Sequence, residues 1–462
     1  MNVHLFQLWT ATVERSPRST ALIDASGGRK WTRAALAKGS SGWAAAHAGS
    51  LGGSTSDRRR VAMSVPNGVE WFEVFLGLLS LGAVPAPIDP TEPEEAQLDA
   101  ARSIGATHLW TGGRLLALEA PRVRPTAHEC LVKLTSATSG AARGLPATHS
   151  QMVADGRQIC RTMGIRSTDL NLAAIPLGYS YGLGNLVLPL LDQGTPLVCA
   201  SSALPQALAA EITRFKPTVF PTVPPVLRAL ALSDVKARAL SSLRLVISAG
   251  SPLAPDAAKA FALRFGTKVR GFYGTSETGG IAFDRTGDAT LTGRSVGLPM
   301  KGVAIRASRA GRIMITSPAV LGSGRFSPSD KAALARNGEL VLQGRTDRVV
   351  KIAGRRVDLA EIERALRSTA GIRDAYAHLV TLPEPVLAAA ILSELGALEV
   401  RKLLRGRLAS WKVPTRLLSL EKFPVTARGK ADSRRLRQLL SAPRTESSIS
   451  TLSAARQTSA LR

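Results

Sequence analysis

A short loop rich in glycine and hydroxyl side chains is the first segment whose residue types suggest chemistry. Residues 134–144 read L-T-S-A-T-S-G-A-A-R-G. Small residues allow backbone amides to converge on an anion, while hydroxyls and an arginine add donors and positive charge. The candidate donors and the glycine are Thr135, Ser136, Thr138, Ser139, Gly140 and Arg143. This pattern predicts a phosphate-binding loop without the Walker A Gly-Lys-Ser/Thr; taken alone, it also fits an ordinary flexible loop.

A second candidate segment directly follows a predicted strand. Residues 271–277 read G-F-Y-G-T-S-E, and loops beyond the carboxyl ends of parallel strands line the ligand crevice of such sheets. Tyr273 could serve a base, Gly274 a cavity, Ser276 a phosphate and Glu277 a Mg²⁺ ion. A strand-end turn with a helix-capping glutamate explains the segment equally well when it is taken alone.

Two further segments lie toward the C-terminal end of the chain. Gly344–Glu363 reads G-R-T-D-R-V-V-K-I-A-G-R-R-V-D-L-A-E-I-E, and Phe423–Lys430 reads F-P-V-T-A-R-G-K. The second segment has a lysine behind a proline-led turn. A lysine in that setting is normally a solvated charge, so this segment is informative only in combination with the other three.

Together the four segments, in this order, resemble the adenylate-forming superfamily of acyl-CoA synthetases, peptide-synthetase adenylation domains and luciferases. The resemblance extends over residues 5–440. Its most specific part is Gly344–Glu363, which meets every fixed position of the family pattern G-R-x-D-x-x-x-K-x-x-G-x-R-[IV]-x-x-x-E-I-E. The resemblance implies ATP-dependent activation of a carboxylic acid to an acyl-adenylate, release of pyrophosphate, and transfer to the thiol of coenzyme A.

The resemblance also implies where the nucleotide binds. The loop Thr135–Gly144 would hold the ATP phosphates, and Tyr273 would stack on adenine beside Gly274. Ser276 would contact a phosphate, and Asp330 would hold both ribose hydroxyls. The turn that would contact adenine comprises Gly250, Ser251 and Pro252.

Roles in catalysis and domain movement follow from the same resemblance. Lys430 would neutralise charge where it builds at the α-phosphate, Glu277 would bind Mg²⁺, and Arg345 would lie near the ribose and phosphate. Asp347 would be the hinge about which the small domain swings. Gly354 would lie on the strand that this movement presents beside a pantetheine tunnel.

Several positions depart from the family pattern. Ala137 replaces a glycine of the phosphate loop, and Arg143 replaces a lysine. Pro328–Ser329 precede an aspartate that usually follows Thr-Gly, and Tyr179 takes the place of a histidine that often borders the acyl pocket. Because no charged catalytic group is lost, we expect an active enzyme; the alternative is a non-catalytic relative that binds a nucleotide or a carrier protein.

The class of acid is defined less closely. The segment Leu177–Gly184 around Tyr179 contains no acidic residue to pair with an amino group, which argues against a free amino acid. Gly274 stands where a tryptophan would close the pocket down to acetate size, so we expect a deeper pocket. An aryl acid and a medium-to-long acyl chain both fit.

Two other functions remain open. Between Arg401 and Arg437 there are twelve lysines and arginines against two acids, which suits an acidic acyl carrier protein as the source of the thiol instead of coenzyme A. The segment Gly178–Gly182 is formally G-x-S-x-G, so a remote alternative is an α/β-hydrolase that uses Ser180. The only histidine after this serine is His378, in the C-terminal unit.

Composition excludes several partners. The chain has 462 residues and a formal net charge of +26, but aromatic residues make up only 5% and no nucleic-acid motif is present, so we expect no nucleic-acid partner. The long uncharged segment Asn171–Leu191 contains glycines and two prolines and predicts strand, turn and helix, so we expect no stable membrane insertion. Three scattered cysteines and the lack of a secretory signal favour a reducing, cytoplasmic location.

Alternating apolar strands and amphipathic helices over the first three hundred residues predict an α/β fold with mostly parallel sheets. The clearest strands and helices are Trp71–Leu81, Ala83–Ile88, Thr218–Phe220, Leu243–Ile247, Asp256–Phe265 and Lys268–Phe272. We expect a large N-terminal adenylation core at 1–344 and a small, mobile α+β domain at 345–441 that carries the catalytic lysine. Residues 442–462 are rich in serine, threonine and alanine and predict a disordered tail.

Overall fold

The computed structural model consists of two compact units, Met1–Gln343 with Ala427–Lys430 and Gly344–Thr426 with Ala431–Arg462. It describes residues 4–51, 58–119, 123–136, 142–345, 348–352, 355–380, 386–405, 407–408, 412–426 and 429–442. The predicted tail therefore lies outside the described residues, apart from Ala442. Lys430 belongs to the larger unit, although the residues on both sides of its short segment belong to the smaller one.

The helices of the larger unit alternate with its strands along the chain. They are α1 (Leu5–Arg15), α2 (Arg33–Leu51), α3 (Val69–Ser80), α4 (Glu94–Ser103), α5 (His149–Met163), α6 (Ser180–Gly182), α7 (Leu188–Gln193), α8 (Pro205–Phe215), α9 (Pro224–Leu232), α10 (Pro255–Phe265) and α11 (Asp288–Thr292). A π-helical segment, Leu183–Val187, joins α6 to α7, and a 3₁₀ turn covers Ala237–Leu240. The helices predicted at Trp71–Leu81 and Asp256–Phe265 are α3 and α10.

The strands of the larger unit are mostly short. They are β1 (Thr20–Asp24), β2 (Lys30–Thr32), β3 (Arg60–Ser64), β4 (Val84–Pro87), β5 (His108–Thr111), β6 (Arg114–Ala117), β7 (Glu129–Ser136), β8 (Ala142–Thr148), β9 (Asn171–Ala173), β10 (Leu197–Cys199), β11 (Val219–Thr222), β12 (Leu245–Ser248), β13 (Val269–Thr275), β14 (Gly279–Phe283), β15 (Leu298–Pro299), β16 (Ala304–Ala307), β17 (Ile313–Thr316), β18 (Arg325–Phe326), β19 (Asp330–Leu334) and β20 (Leu340–Arg345).

The largest sheet of this unit has the strand order β15-β14-β13-β12-β11-β9-β10-β1-β2. Its interior pairs, from β13 through β12, β11, β9 and β10 to β1, are parallel, and its antiparallel pairs lie toward the two edges. Helices α9 and α10 make the crossovers that parallel neighbours require, between β11 and β12 and between β12 and β13. The predicted α/β fold with mostly parallel sheets is confirmed.

A second sheet, in the order β4-β3-β5-β6, packs around the apolar helix α3. Trp71, Phe72 and Phe75 of this helix are each at most 2% exposed. Such aromatic side chains contribute much of the apolar surface that a core buries. Helix α3 is apolar on nearly every face, which is the pattern of a buried helix rather than a surface helix.

A hairpin of β7 and β8 leads directly into α5. Thr135 of β7 pairs with Arg143 of β8, next to the loop predicted to bind phosphate. The side chain of Thr148 accepts a hydrogen bond from the Gln151 backbone amide at 3.3 Å, while the Gln151 side chain accepts one from the Thr148 amide at 2.9 Å. This capping box starts α5 directly after β8, and Gly164 ends the helix with a φ of +68°.

A buried ion pair anchors β7 to the second sheet. Arg60 Nε donates to Glu129 Oε1 at 2.7 Å, and Arg60 Nη2 donates to Glu129 Oε2 at 3.1 Å. The third donor, Nη1, reaches the carbonyl of Ile104 at 2.9 Å. Two parallel bonds of this kind fix both the distance and the plane of the partners. The strand that carries Thr135 therefore begins at a fixed point.

The smaller unit is built of α12 (Leu359–Arg367), α13 (Ala397–Arg405), α14 (Ser433–Ser441), β21 (Val349–Ile352), β22 (Arg355–Asp358), β23 (Ile372–Val380), β24 (Val386–Ser393) and β25 (Arg416–Ser419). The central strand β24 pairs antiparallel with β23 and parallel with β25. Alternate residues of β24 belong to two different apolar clusters, one shared with α12 and α13 and the other with α14. Because alternate side chains point to opposite faces of a strand, α13 and α14 cover opposite faces of this sheet.

The uncharged run Asn171–Leu191 contains β9, the π-helical segment and part of α7, as the strand–turn–helix prediction requires. Within the described part of the chain, no helix is long and apolar enough to cross a membrane. The cysteines Cys130, Cys160 and Cys199 are all unpaired, and burial raises the pKa of Cys160 and of Cys199 to about 12.

Candidate active site

The carboxyl ends of β11, β12 and β13 lie at one edge of the largest sheet. The parallel register pairs Thr222 with Ser248 and Ser248 with Gly271. Gly250 follows β12 with a φ of +89°, a conformation that favours glycine. Ser251 is half-buried and Pro252 is exposed. In open α/β sheets this edge is where ligands bind, so the predicted adenine-contacting turn lies in the expected position.

The side chain of Lys430 reaches this turn within the larger unit. A Cβ atom built on Gly250 would lie 3.4 Å from Cε of Lys430 and 3.8 Å from Cγ1 of Val223. The neighbouring Gly429 also lies against β11, because a Cβ built there would be 3.2 Å from Cγ2 of Val223. The structure therefore brings together the predicted catalytic lysine and the predicted adenine turn, which are 180 positions apart in the sequence (430 − 250).

Tyr273 and Asp330 meet directly. The Tyr273 hydroxyl donates a hydrogen bond of 2.8 Å to Oδ2 of Asp330, although 57 positions separate the two residues. The tyrosine is in β13, next to the strand that carries the Gly250 turn, and the aspartate begins β19. An aromatic ring and a carboxylate held side by side are the groups that would contact a base and the ribose attached to it.

The close approach of a neighbouring strand, which the sequence does not show, explains the glycine at position 274. A Cβ atom at this position would lie only 2.4 Å from the carbonyl oxygen of Gly279, because β14 folds back closely on β13. No side chain fits there without moving the backbone of β14. The close approach explains the glycine by itself, so the deeper pocket expected from Gly274 stays a prediction.

The turn between β13 and β14 carries Ser276 and Glu277. The backbone carbonyl of Glu277 accepts a hydrogen bond from the Leu321 amide at 2.8 Å. Among the residues that the structure describes, neither the Ser276 hydroxyl nor the Glu277 carboxylate has a hydrogen bond or an ion-pair contact. Both side chains are half-buried, and both remain available to a ligand.

The donor set at this turn fits Mg²⁺. The ion prefers oxygen ligands and usually takes one or two carboxylates together with substrate phosphates and water. Within the described residues there is no group of three metal-ligating side chains. Glu277 offers one carboxylate, and the phosphate oxygens of a nucleotide would offer further ligands. This is the arrangement expected where the metal arrives with a nucleotide.

The phosphate loop is described only at its two ends. Thr135 Oγ1 donates to the carbonyl of Arg143 at 3.4 Å, and the Arg143 side chain is exposed. The remaining predicted site residues whose backbones lie outside the described part of the chain are Thr138, Ser139, Gly140, Asp347 and Gly354. The backbones of Ser136 and Arg345 are described as parts of β7 and β20, whereas their side chains are not.

An acidic residue that the sequence analysis missed lies beside Tyr179. The tyrosine hydroxyl donates a short hydrogen bond to Oδ2 of Asp89. The other oxygen, Oδ1, accepts from the backbone amide and the hydroxyl of Thr91 at 3.0 and 2.7 Å. Gly178 packs on the same segment, because a Cβ there would lie 2.5 Å from Cβ of Pro87. Asp89 therefore orients Tyr179 from a distant strand end, which no local pattern around residue 179 reveals.

A buried lysine was also missed. Lys133 of β7 is 2% exposed, and its Nζ donates to the carbonyl of Ser276 at 3.5 Å. Burial lowers the pKa of the Lys133 ammonium, while the carboxylates of Asp155 and Glu277 act on it in the opposite direction. The available signal was a charged residue inside the apolar run Cys130–Leu134, which a strand buried on both faces does not normally contain.

A family model described as AMP-binding enzyme matches residues 9–133 and 117–310 of this chain, which is more than half of it. The chain belongs to the AMP-binding enzyme family. The resemblance stated from the four sequence segments is thereby confirmed. The matched region includes the adenine turn and the β13–β14 turn with Ser276 and Glu277.

Individual relatives agree with this family. The chain is 27% identical over 455 residues to benzoate–CoA ligase of Thauera aromatica, covering 82% of this chain and 85% of the relative. It is 26% identical over 429 residues to feruloyl-CoA synthase of an Amycolatopsis species, covering 80% and 87%. Its fold is similar to that of ATP-bound MatB from Rhodopseudomonas palustris, with a TM-score of 0.81 at 19% identity over 95% and 99% of the two chains.

These findings make this AMP-binding enzyme a member of a group of acid–thiol ligases and adenylation enzymes, which activate carboxylic acids as adenylates. They give no support to the hydrolase alternative. Ser180 begins α6, and within the described residues no histidine is hydrogen-bonded to it. His378 is in β23 of the smaller unit.

Proposed function

We propose that this AMP-binding enzyme activates an aromatic carboxylic acid with ATP, releases pyrophosphate, and transfers the acyl group to the thiol of coenzyme A. The observation that carries the proposal is the Tyr273–Asp330 hydrogen bond on the strand next to the Gly250 turn, where the Lys430 side chain lies. It unites groups for adenine, ribose and a developing phosphate charge at one edge of a parallel sheet.

In the first half-reaction an oxygen of the substrate carboxylate attacks the α-phosphorus of ATP. The bond from that phosphorus to the bridging oxygen breaks, and pyrophosphate leaves. Lys430 would stabilise the negative charge that develops at the α-phosphate, since a preorganised cation acts most strongly where charge appears in the transition state. Glu277 would hold a Mg²⁺ ion, which would supply further neutralisation of the phosphate oxygens. Thr135 and Arg143 at the ends of the loop would restrain the leaving phosphates.

In the second half-reaction the thiol sulfur attacks the carbonyl carbon of the acyl-adenylate. The bond from that carbon to the phosphate oxygen breaks, AMP leaves, and the thiol proton passes to solvent. We propose, on the family resemblance, that Asp347 is the hinge and Gly354 part of the strand that serve this step. A rotation of this kind would withdraw Lys430 after adenylation, which is how a domain movement can separate two chemistries at one site.

Support for an aromatic acid comes from the relatives and from the pocket side of the site. Benzoate and ferulate, the acids that the names of the two relatives above contain, are both aromatic. Tyr179 is fixed by Asp89, whose two oxygens are already engaged by Tyr179 and Thr91. The segment Leu177–Gly184 itself has no acidic residue that could pair with the ammonium of an amino acid. By the family resemblance Tyr179 would border the acyl pocket, where a ring held in this way would suit a flat aromatic acid better than a long flexible chain.

A panel of acids tests the proposed function. We expect pyrophosphate release, or hydroxamate formation, with benzoates and cinnamates to exceed that with octanoate, palmitate and free amino acids by about tenfold or more in kcat/KM, the range that pocket fit provides. Preference for the fatty acids would replace the aromatic assignment with an acyl one. ATP binding in a calorimeter without pyrophosphate release from any acid would identify a non-catalytic relative instead.

One observation favours a carrier protein as a second candidate acceptor. Exposed basic side chains occur on both outer helices of the smaller unit, Lys402 and Arg405 on α13 and Arg434 and Arg435 on α14. The sequence count treats all twelve lysines and arginines as one basic surface, but the structure divides these four between opposite faces of the β23–β24–β25 sheet. A carrier protein would therefore have to dock on one of two separate basic faces.

Some of the twelve basic residues serve the fold. Arg401 donates to the carbonyls of Pro414 and Thr415, and Lys412 contacts both oxygens of Glu361 at 2.8 Å. Arg401 is thus a poor choice for charge reversal, because its loss would disturb the smaller unit itself. The exposed pairs on α13 and α14 are the informative positions.

Paired charge reversals distinguish the two acceptors. If a carrier protein docks on α13, Lys402→Glu with Arg405→Glu should slow transfer to the carrier by about tenfold and leave transfer to coenzyme A unchanged, while Arg434→Glu with Arg435→Glu should have little effect. Transfer to the carrier should also slow as salt rises, since the Debye length is ~10 Å at 0.1 M. Efficient thioester formation on coenzyme A, with no carrier able to compete and neither pair of variants altering it, would leave coenzyme A as the acceptor.

A further inference from the structure

The β13–β14 turn, which carries Ser276 and Glu277, is held from two sides by buried charged residues. Lys133 of β7 and Asp155 of α5 are each 2% exposed. Charged side chains are almost never buried to this extent unless they are paired or have a specific task. Neither residue belongs to the four segments that identify the family, and neither has a role in the half-reactions described above.

Each of these residues holds a different part of the turn. Lys133 Nζ donates to the carbonyl of Ser276 at 3.5 Å, before the turn reverses. Asp155 Oδ1 accepts from the backbone amide of Gly280 at 3.0 Å, after it reverses. Gly279, with a φ of +67°, allows this contact, because a Cβ there would lie 2.2 Å from Oδ1 of Asp155.

Both contacts are made to backbone atoms of the turn. The same is true of the Leu321 amide, which donates to the carbonyl of Glu277 at 2.8 Å. The turn is therefore fixed without using the Ser276 hydroxyl or the Glu277 carboxylate. A site in which the supporting groups bind the backbone and leave the reactive side chains to the ligand is preorganised in the sense that transition-state stabilisation requires.

Electrostatics adds a second link between the buried pair and the turn. The Lys133 ammonium interacts favourably with the carboxylates of both Asp155 and Glu277. Burial raises the pKa of the Asp155 carboxyl, and Lys133 and the Gly280 amide counteract that effect. The Lys133 side chain therefore lies next to the turn that carries the carboxylate assigned to Mg²⁺. A protonated Lys133 would offset part of the negative charge that the carboxylates of Asp155 and Glu277 place near the turn.

We propose that Lys133 and Asp155 are a pair of positioning residues that set the geometry of the Ser276–Glu277 turn for the metal–nucleotide complex. The proposal rests on the proposed function, since it assigns the pair to the same nucleotide site. It predicts that the affinity for Mg·ATP, and not the affinity for the acid, depends on Lys133.

The fold alone does not require a lysine at this position. Moving an ammonium out of water is costly, and buried ion pairs can often be replaced by apolar side chains without loss of stability. Methionine has nearly the same length as lysine and adapts to irregular spaces in a core. A Lys133–Asp155 pair that served only the fold would therefore be replaceable as a pair without loss of Mg·ATP affinity, whereas a positioning pair would not.

The test begins with Lys133→Met, compared with Lys38→Met in α2, which replaces an exposed lysine on the same unit. Titration calorimetry with Mg·ATP in the absence of acid should give a Kd about tenfold higher for Lys133→Met, equal to about 1.4 kcal/mol. The Tm should fall by several degrees, because the Asp155 carboxyl stays buried without its counter-charge. The KM for the acid should stay the same while the KM for Mg·ATP rises. Lys38→Met should match the wild type throughout.

A second variant separates positioning from folding. Asp155→Asn keeps an oxygen for the Gly280 amide but leaves the Lys133 ammonium buried without its counter-charge, so its Tm should fall by several degrees. The double variant should regain that Tm, because both charges are gone, and should keep the weak Mg·ATP binding of Lys133→Met. An unchanged Kd for Lys133→Met, or a loss of Tm without loss of affinity, would overturn the proposal. Calorimetry needs no turnover, so this test decides the role of Lys133 even if the protein is inactive toward every acid. Such inactivity would contradict the proposed function alone.

Discussion

Replacement of Lys430 by alanine should reduce adenylation by about 10²-fold or more and leave thioester formation from a supplied acyl-adenylate nearly normal. The lysine lies beside the Gly250 turn, at the strand edge where the α-phosphate would be held. Loss of one preorganised group that stabilises developing charge typically costs about 10²–10³ in rate. The two half-reactions are measured separately, by ATP–pyrophosphate exchange and by single-turnover transfer from synthetic acyl-adenylate.

Lys422→Ala is the matched control, because Lys422 is an exposed lysine eight positions before Lys430 (430 − 422). It should behave like the wild type in both assays. Equal losses in both half-reactions of Lys430→Ala would mean that the lysine stays in place throughout the cycle. That outcome would remove the basis for a hinge at Asp347 and for a domain rotation between the steps, while leaving the adenylation chemistry intact.

The sequence predicts the scaffold of the site well, because the scaffold depends on local patterns. The apolar runs at Leu243–Ile247 and Thr218–Phe220 are strands, β12 and β11, as predicted. Two prolines, Pro224 and Pro225, start the helix α9 between these strands. The strand predicted at Lys268–Phe272 continues to Thr275. Its extension exists because β14 pairs with it through a register shift, and pairing with a later segment is invisible to the pattern of β13 alone.

The sequence does not show which distant segments of the chain are in contact. The family pattern gives Tyr273 and Asp330 separate roles, but only the fold shows that one donates a hydrogen bond to the other. Lys133 and Asp155 lie on different elements, β7 and α5, and only the fold shows that both of them hold the β13–β14 turn. A charged residue within an apolar strand indicates a buried charge, but only the fold identifies the groups that this charge contacts.

Replacement of Asp330 by alanine should lower kcat/KM for ATP by about 100-fold, with little change in KM for the acid. The carboxylate is proposed to accept hydrogen bonds from both ribose hydroxyls, and hydrogen bonds to a charged group contribute about 1.5–3 kcal/mol each. A loss of about 3 kcal/mol corresponds to roughly a hundredfold change. Tyr273→Phe keeps the ring and removes only the hydroxyl that donates to Asp330, so its loss should stay below about tenfold.

An ATP analogue shows whether the loss at Asp330 arises at the ribose. The wild type should discriminate strongly against 2′,3′-dideoxy-ATP, which lacks both hydroxyls, whereas Asp330→Ala should use ATP and the analogue about equally. The removed carboxylate and the removed hydroxyls form one interaction, so their effects should not add. Tyr273→Phe should keep most of the discrimination, because the carboxylate remains. If Asp330→Ala still rejects the analogue as strongly as the wild type does, the aspartate holds Tyr273 in place and another group binds the ribose.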